Sequence, residues 1–343
     1  MARIAWLGMD GGCVGKAGRG GVMMKRVVLV IAAAGLGLAG CTTAQTPPPA
    51  LPRAEQPAAC PATGAALQVL GSGGPLAEGD RAGTSYLLWI DGEPRLLIDA
   101  GAGSFLRFAE AGGKLASLDA FLLTHLHADH AGDLAGVLNS GGFETRSEPL
   151  PVIGPDSAER FPGTSEFLTR LLGKDTGAFA YNGGFLDGSE NKFRLEPRDI
   201  TTGAGGADPA GLDVSNDYSV IAHPVHHGPA PALGFAIEWQ GKTVVITGDQ
   251  SALSERFLAD LTGSKPAMLF AHHVINGGEG QPRGLHRTPA EIGELAGALA
   301  PARLVLTHNM QRSLNPLAES LSAISAGYRG PVSVAADLDC YAI

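Results

Sequence analysis

Ala120-Phe121-Leu122-Leu123-Thr124-His125-Leu126-His127-Ala128-Asp129-His130-Ala131-Gly132-Asp133 decides how this chain is read. The run Phe121-Leu122-Leu123 is short enough for a buried strand, and ligand-type residues follow it at once. Neutral imidazoles and a carboxylate are the donors that a borderline divalent ion such as zinc takes. On an extended segment His125 and His127 project to one side, because strand side chains alternate, so one ion could take both. If the chain then turns into a helix, Asp129 and His130 sit in its first turn, aimed at a second ion beside the first. The competing reading is a solvated, His-rich loop.

Three further apolar runs share this grammar. Val244-Val245-Ile246-Thr247-Gly248 ends in Asp249, Met268-Leu269-Phe270-Ala271 in His272-His273, and Leu304-Val305-Leu306-Thr307 in His308. A ligand just past the carboxyl end of a buried strand is where α/β sheets place their sites, so four such endings point to one cleft. Ala222-His223-Pro224-Val225-His226-His227-Gly228 offers another imidazole.

The His-x-His-x-Asp-His string resembles the signature of the metallo-β-lactamase fold, an α/β, four-layer αβ/βα sandwich with a dinuclear metal site at the strand carboxyl ends. The order His227, Gly234-Phe235-Ala236-Ile237, Gly248-Asp249 is similar to the ribonuclease-Z-like branch of that fold. For residues 65–343 the resemblance implies one metal on His125, His127 and His227 and a second on Asp129, His130 and His308, with Asp249 bridging. Asp129 then serves as ligand and catalytic carboxylate at once. The implied cofactor is two Zn2+, or another divalent pair, acting with a bridging hydroxide. His272 or His273 matches the position of a leaving-group acid, although the branch has His-Glu there and this chain has His-His. His286 and Arg283 are implied substrate-binding residues, with Arg287 an alternative. Asp99, ending the strand Arg95–Ile98, would orient a ligand from behind the metal or cap the helix expected over 103–111. Phe179, Tyr181 and Phe185 are either pocket walls or ordinary packing.

The implied activity is hydrolysis of a small ester, a phosphodiester or aryl sulfate. β-Lactam or lactone hydrolysis is the alternative, and a mononuclear iron dioxygenase the alternative from another class. Transfer-RNA maturation is disfavoured, because only Glu238 to Thr247 occupy the interval where the branch carries its RNA-clamping arm. A formal net charge of −9 without any Lys/Arg run also argues against a nucleic-acid partner.

Residues 1–41 divide into an upstream segment and an export signal. Lys25-Arg26 is a basic start, Val27 to Leu38 an apolar run too short to span a bilayer, and Leu38-Ala39-Gly40-Cys41 resembles a lipobox. Cleavage before Cys41 and lipid on its thiol are expected, with Thr42 pointing to the outer membrane of a periplasm. An ordinary secretion signal is the alternative. Residues 42–64, rich in Pro and Ala, would form a semi-extended tether. That leaves Cys60 and Cys340, which an oxidising compartment permits to pair; two free thiols are the other possibility.

Overall fold

The computed structural model describes residues 60–343; the export signal, Cys41 and most of the expected tether lie outside the described residues. Fourteen strands among the described residues form two seven-stranded sheets. The first contains β1 (Ala65–Gly71), β2 (Ser85–Ile90), β3 (Glu93–Ile98), β4 (Ala120–Leu122), β5 (Leu150–Pro155) and β6 (Leu195–Ile200). The second contains β7 (Ala210–Leu212), β8 (Ser219–His227), β9 (Ala230–Trp239), β10 (Lys242–Ile246), β11 (Met268–His272), β12 (Arg303–Thr307) and β13 (Val332–Val334). The chain then returns to the first sheet, where β14 (Cys340–Ala342) pairs antiparallel with β1. β13 and β14 therefore lie in different sheets.

Both faces of the central strands are covered, which is why strands such as β1, β2 and β11 read as unbroken apolar runs rather than alternating ones. Alternation still decides which side chain goes where. Leu67, Val69, Tyr86, Leu88, Leu96 and Ile98 face Val244, Ile246, Met268 and Phe270 in the inter-sheet core. Their neighbours Ala66, Leu70, Leu87 and Leu97 pack outward against residues of the helices Ser104–Glu110, Leu134–Gly141 and Thr164–Leu172. On the other sheet Val245, Leu269 and Leu304 pack against the helices Glu255–Leu261, Pro289–Leu299 and Leu317–Gly327. The result is helices, sheet, sheet, helices, the expected four-layer sandwich.

The ends of this unit are tied together. Cys60 and Cys340 form a disulfide with 5.4 Å between their Cα atoms. Gly64 exchanges hydrogen bonds with Asp91 in the β2–β3 turn, so the chain is pinned a few residues before β1 begins. Among the described residues no helix is long and apolar enough to cross a membrane.

Candidate metal centre

The donors sit where strands end. β4 runs into His125; His127, still extended, precedes the single helical turn Ala128–Ala131 that carries Asp129 and His130. His227 is the last residue of β8, while Asp249 and His308 follow β10 and β12. Two donor-side residues, Asp99 and His308, have left-handed backbone, with φ of 59° and 52°. Such strain in residues other than glycine persists only where surrounding structure enforces it. Gly74 is packed so closely on His308 that an added Cβ would collide with its imidazole.

Three imidazole nitrogens converge first: His125 Nε2 lies 2.9 Å from His127 Nδ1, which lies 3.3 Å from His227 Nε2. In the second set His308 Nε2 is 3.1 Å from His130 Nε2 and 3.2 Å from Asp129 Oδ2. Asp249 stands between them, its Oδ2 3.7 Å from both His227 Nε2 and His130 Nε2 and its Oδ1 3.4 Å from His308 Nε2. Four-coordinate zinc with ligands at about 2.0–2.1 Å holds them roughly 3.3 Å apart, the separation seen here. One shared proton satisfies only two facing nitrogens, so each set leaves lone pairs aimed at a common point. These donor sets fit two divalent cations.

Electrostatics favour the ligating forms. Burial, reinforced by neighbouring imidazoles, pushes His125, His127 and His227 below the ordinary histidine range and keeps their lone pairs free. Burial opposes ionisation of Asp249, but His308, His286 and the hydrogen bond from His272 outweigh it and hold the carboxylate well below its usual range. His130 differs: burial works against its charged form, yet Asp99 overrides this and raises it to about 9. Asp99 Oδ2 lies 2.8 Å from His130 Nδ1, and the Thr124 N–H and hydroxyl donate to the same carboxylate at 2.7 Å. Asp99 caps no helix; Gly103 precedes Ser104–Glu110 without a side-chain cap.

The three histidines expected to act on the substrate, His272, His273 and His286, separate sharply. His272 continues the inward face of β11, with Nδ1 2.7 Å from Asp249 Oδ1 and Nε2 2.9 Å from the Tyr86 hydroxyl. Both nitrogens are engaged, and burial pushes the ring down to about 3. The adjacent His273 faces away, fully buried, with Nδ1 3.3 Å from Asn309 Oδ1, and it belongs to none of the ligand clusters. His286 instead lies over the donors, its ring centroid 5.2 Å from His227 and 6.2 Å from His308. Its Nδ1 is 3.8 Å from Asp249 Oδ2 and has no hydrogen-bond partner. Burial lowers this ring to about 4.

Arg283 does not join the centre. Its exposed guanidinium donates to the carbonyls of Gly277 and Gly278. Arg287, 6% exposed, is directed instead onto Gln250 Oε1. Phe185 is a core residue packed edge to face on Phe193 rather than a wall, and Phe179 and Tyr181 likewise pack edge to face on each other. His223 packs on Phe257, and His226 bonds Ser251. Sequence reasoning passed over Phe161, whose ring lies 5.7 Å from His127. Its signal was an aromatic residue in the Pro155-to-Gly163 loop beyond the carboxyl end of β5.

Facing sheets with buried His and Asp donors at their strand ends define a metalloprotein of the αβ/βα sandwich class. The profile of the Metallo-beta-lactamase superfamily matches residues 79–308, and the chain belongs to that superfamily. Ribonuclease Z of Mycolicibacterium paratuberculosis is 36% identical over 191 residues, covering 53% of this chain and 62% of the relative. The chain thus spans about three fifths of the length of such curated relatives. Human tRNase Z, short form, superposes with a TM-score of 0.61 at 20% identity, over 81% of this chain and 99% of that one. A diphosphatase from the PhnP family superposes at 0.54 and 18% identity, over 81% and 98%. These superpositions establish the fold.

Proposed function

We propose that the protein is an exported, two-metal hydrolase of small phosphodiesters. The observation that carries this reading is the meeting of seven donors, His125, His127, Asp129, His130, His227, Asp249 and His308, in two sets with Asp249 between them, beneath the unpartnered His286 Nδ1. Two bound divalent cations, zinc in the expected case, would polarise the ester oxygen, acidify water and neutralise the leaving oxygen.

The remaining work falls to the chain itself. Asp249 and Asp129 keep the centre anionic, so that bound cations retain a balanced charge. His286 takes over the acid role first assigned to His272 or His273, because it alone of the three presents a free nitrogen to the centre. An anionic substrate beside it would oppose the effect of burial and draw the ring toward its protonated form. From that form it passes a proton to the departing alkoxide. Phe161 closes the His127 side with an apolar surface suited to a flat leaving group.

Support for a phosphodiester comes from the ribonuclease Z relatives, while the two-residue turn Gln240-Gly241 between β9 and β10 leaves no room for an RNA-clamping arm. The Cys60–Cys340 disulfide supports export to an oxidising compartment, with lipid on Cys41 as the membrane anchor. Purified protein of measured metal content, assayed on bis-p-nitrophenyl phosphate, p-nitrophenyl sulfate, a homoserine lactone and nitrocefin, tests the reading. The phosphodiester should turn over fastest, and turnover confined to nitrocefin or the lactone would overturn it.

A further inference from the structure

We propose that Tyr86 is a positioning residue for the Asp249 carboxylate that stands between the two donor sets, acting across the sandwich through His272. This rests on the metal reading of the site given above. Tyr86 stands on β2 of the first sheet and is fully buried in the inter-sheet core. His272 stands on β11 of the second sheet, and both point inward because each continues the inward-facing alternation of its strand. The two rings stack at 6.3 Å with an interplanar angle of 18°.

The hydrogen bonds fix one direction of donation. Asp249 Oδ1, a carboxylate oxygen, can only accept, so His272 Nδ1 at 2.7 Å carries the proton. In the neutral ring Nε2 must then accept, and its partner at 2.9 Å is the Tyr86 hydroxyl, which therefore donates. The Thr307 hydroxyl, 2.7 Å from Tyr86 Oη, completes the chain by donating to that oxygen. The order Thr307, Tyr86, His272, Asp249 thus runs one way, ending on a carboxylate that faces both ligand sets. It also stops His272 from becoming a ligand, since Nε2 is committed to the phenol and Nδ1 carries a proton.

Such an outer partner sets the orientation of a ligand, and its loss usually costs about 10–100-fold in metal affinity. Tyr86→Phe keeps the ring and removes only the hydroxyl. His272 Nε2 is then left in an apolar core without a donor, and the ring is free to turn or change tautomer. Asp249 loses its fixed orientation as a result. His272→Gln can imitate both roles, because a side-chain amide offers one N–H toward Asp249 and one carbonyl toward Tyr86. His272→Leu imitates neither.

The test is metal affinity of the full-length protein, measured by competition with a chromophoric chelator. In Tyr86→Phe, binding should weaken about 10–100-fold relative to wild type, with His272→Gln closer to wild type than His272→Leu. Leu88→Ala, a cavity variant in the same inter-sheet core, should lower thermal stability and leave affinity unchanged. Unchanged affinity in Tyr86→Phe overturns the inference alone, as does an equal loss in Leu88→Ala. A wild-type chain that binds no divalent ion overturns the proposed function and this inference with it.

Discussion

Asp99 Oδ2 and His130 Nδ1 are 2.8 Å apart with both side chains fully buried, so one carboxylate at the end of β3 determines which nitrogen of His130 faces the ligand set. Nδ1 holds the proton toward Asp99, and Nε2 is left for a cation. Without a cation the same pair traps a proton, because Asp99 raises His130 to about 9. Loading a metal therefore releases a proton at neutral pH.

Asp99→Ala should lower metal affinity about 10–100-fold, the usual effect of removing a carboxylate behind a histidine ligand. It should also diminish the proton release on metal addition, which is measurable in weakly buffered solution. Undiminished proton release would show that His130 is not the group that gives up the proton.

Gly74→Ala tests the closest approach in the site. The new Cβ would collide with the His308 ring, whose left-handed backbone leaves it little freedom to withdraw. Metal content should fall toward one ion per chain, read by elemental analysis of the folded variant. Two ions retained at full occupancy would show that the glycine loop yields more readily than the packing implies.

His286→Ala should reduce turnover by about 10²–10⁴-fold with metal content intact, the span typical of acid–base catalysis. The loss should be smaller for a p-nitrophenyl leaving group than for a poor alkoxide. His273→Ala should leave both turnover ratios alone, since its ring is directed away from the donors. Equal losses on both substrates would reduce His286 to a positioning role.

His273 also makes a prediction about acid stability. Burial, partly offset by the Asn309 hydrogen bond, lowers its folded-state value from 6.5 to about 4. The unfolded chain takes up a proton below about pH 6.5 while the fold refuses it, so stability is full above that pH and declines as pH falls toward 4. The loss is on the order of 3 kcal/mol. Replacing His273 with Gln should flatten this part of the stability profile in urea titrations from pH 7 to pH 4. An unaltered slope would assign the acid sensitivity to other groups.

What the sequence disclosed followed from where strands stop. The runs before His125, Asp249 and His308 announced the sheets and their loaded ends, and the structure brings those residues together with Asp129, His130 and His227. The roles of His272, His273 and His286 were not separable, because each depends on parity within β11 or on a loop docked from far along the chain. Neither leaves a local period to read. Phe161 and Tyr86 stayed hidden for the same reason: one meets His127 and the other His272 only when distant segments pack. Phe185 misled because an aromatic residue in a Gly-rich stretch looks alike whether it lines a pocket or fills a core.

Donors drawn from both sheets have a consequence for how an ion is chosen. His125 to His130 follow β4 of one sheet, whereas His227 ends β8 and Asp249 and His308 follow β10 and β12 of the other, so no local segment contains a finished site. The site comes into being only as the two sheets dock, and imidazole and carboxylate donors accept several first-row ions. On the proposed metal reading, the ion taken would therefore depend on the supply present where docking is completed as well as on the donors themselves. A chain exported unfolded would be loaded from the stock beyond the membrane, and the same sequence kept in the cytosol could emerge with a different ion.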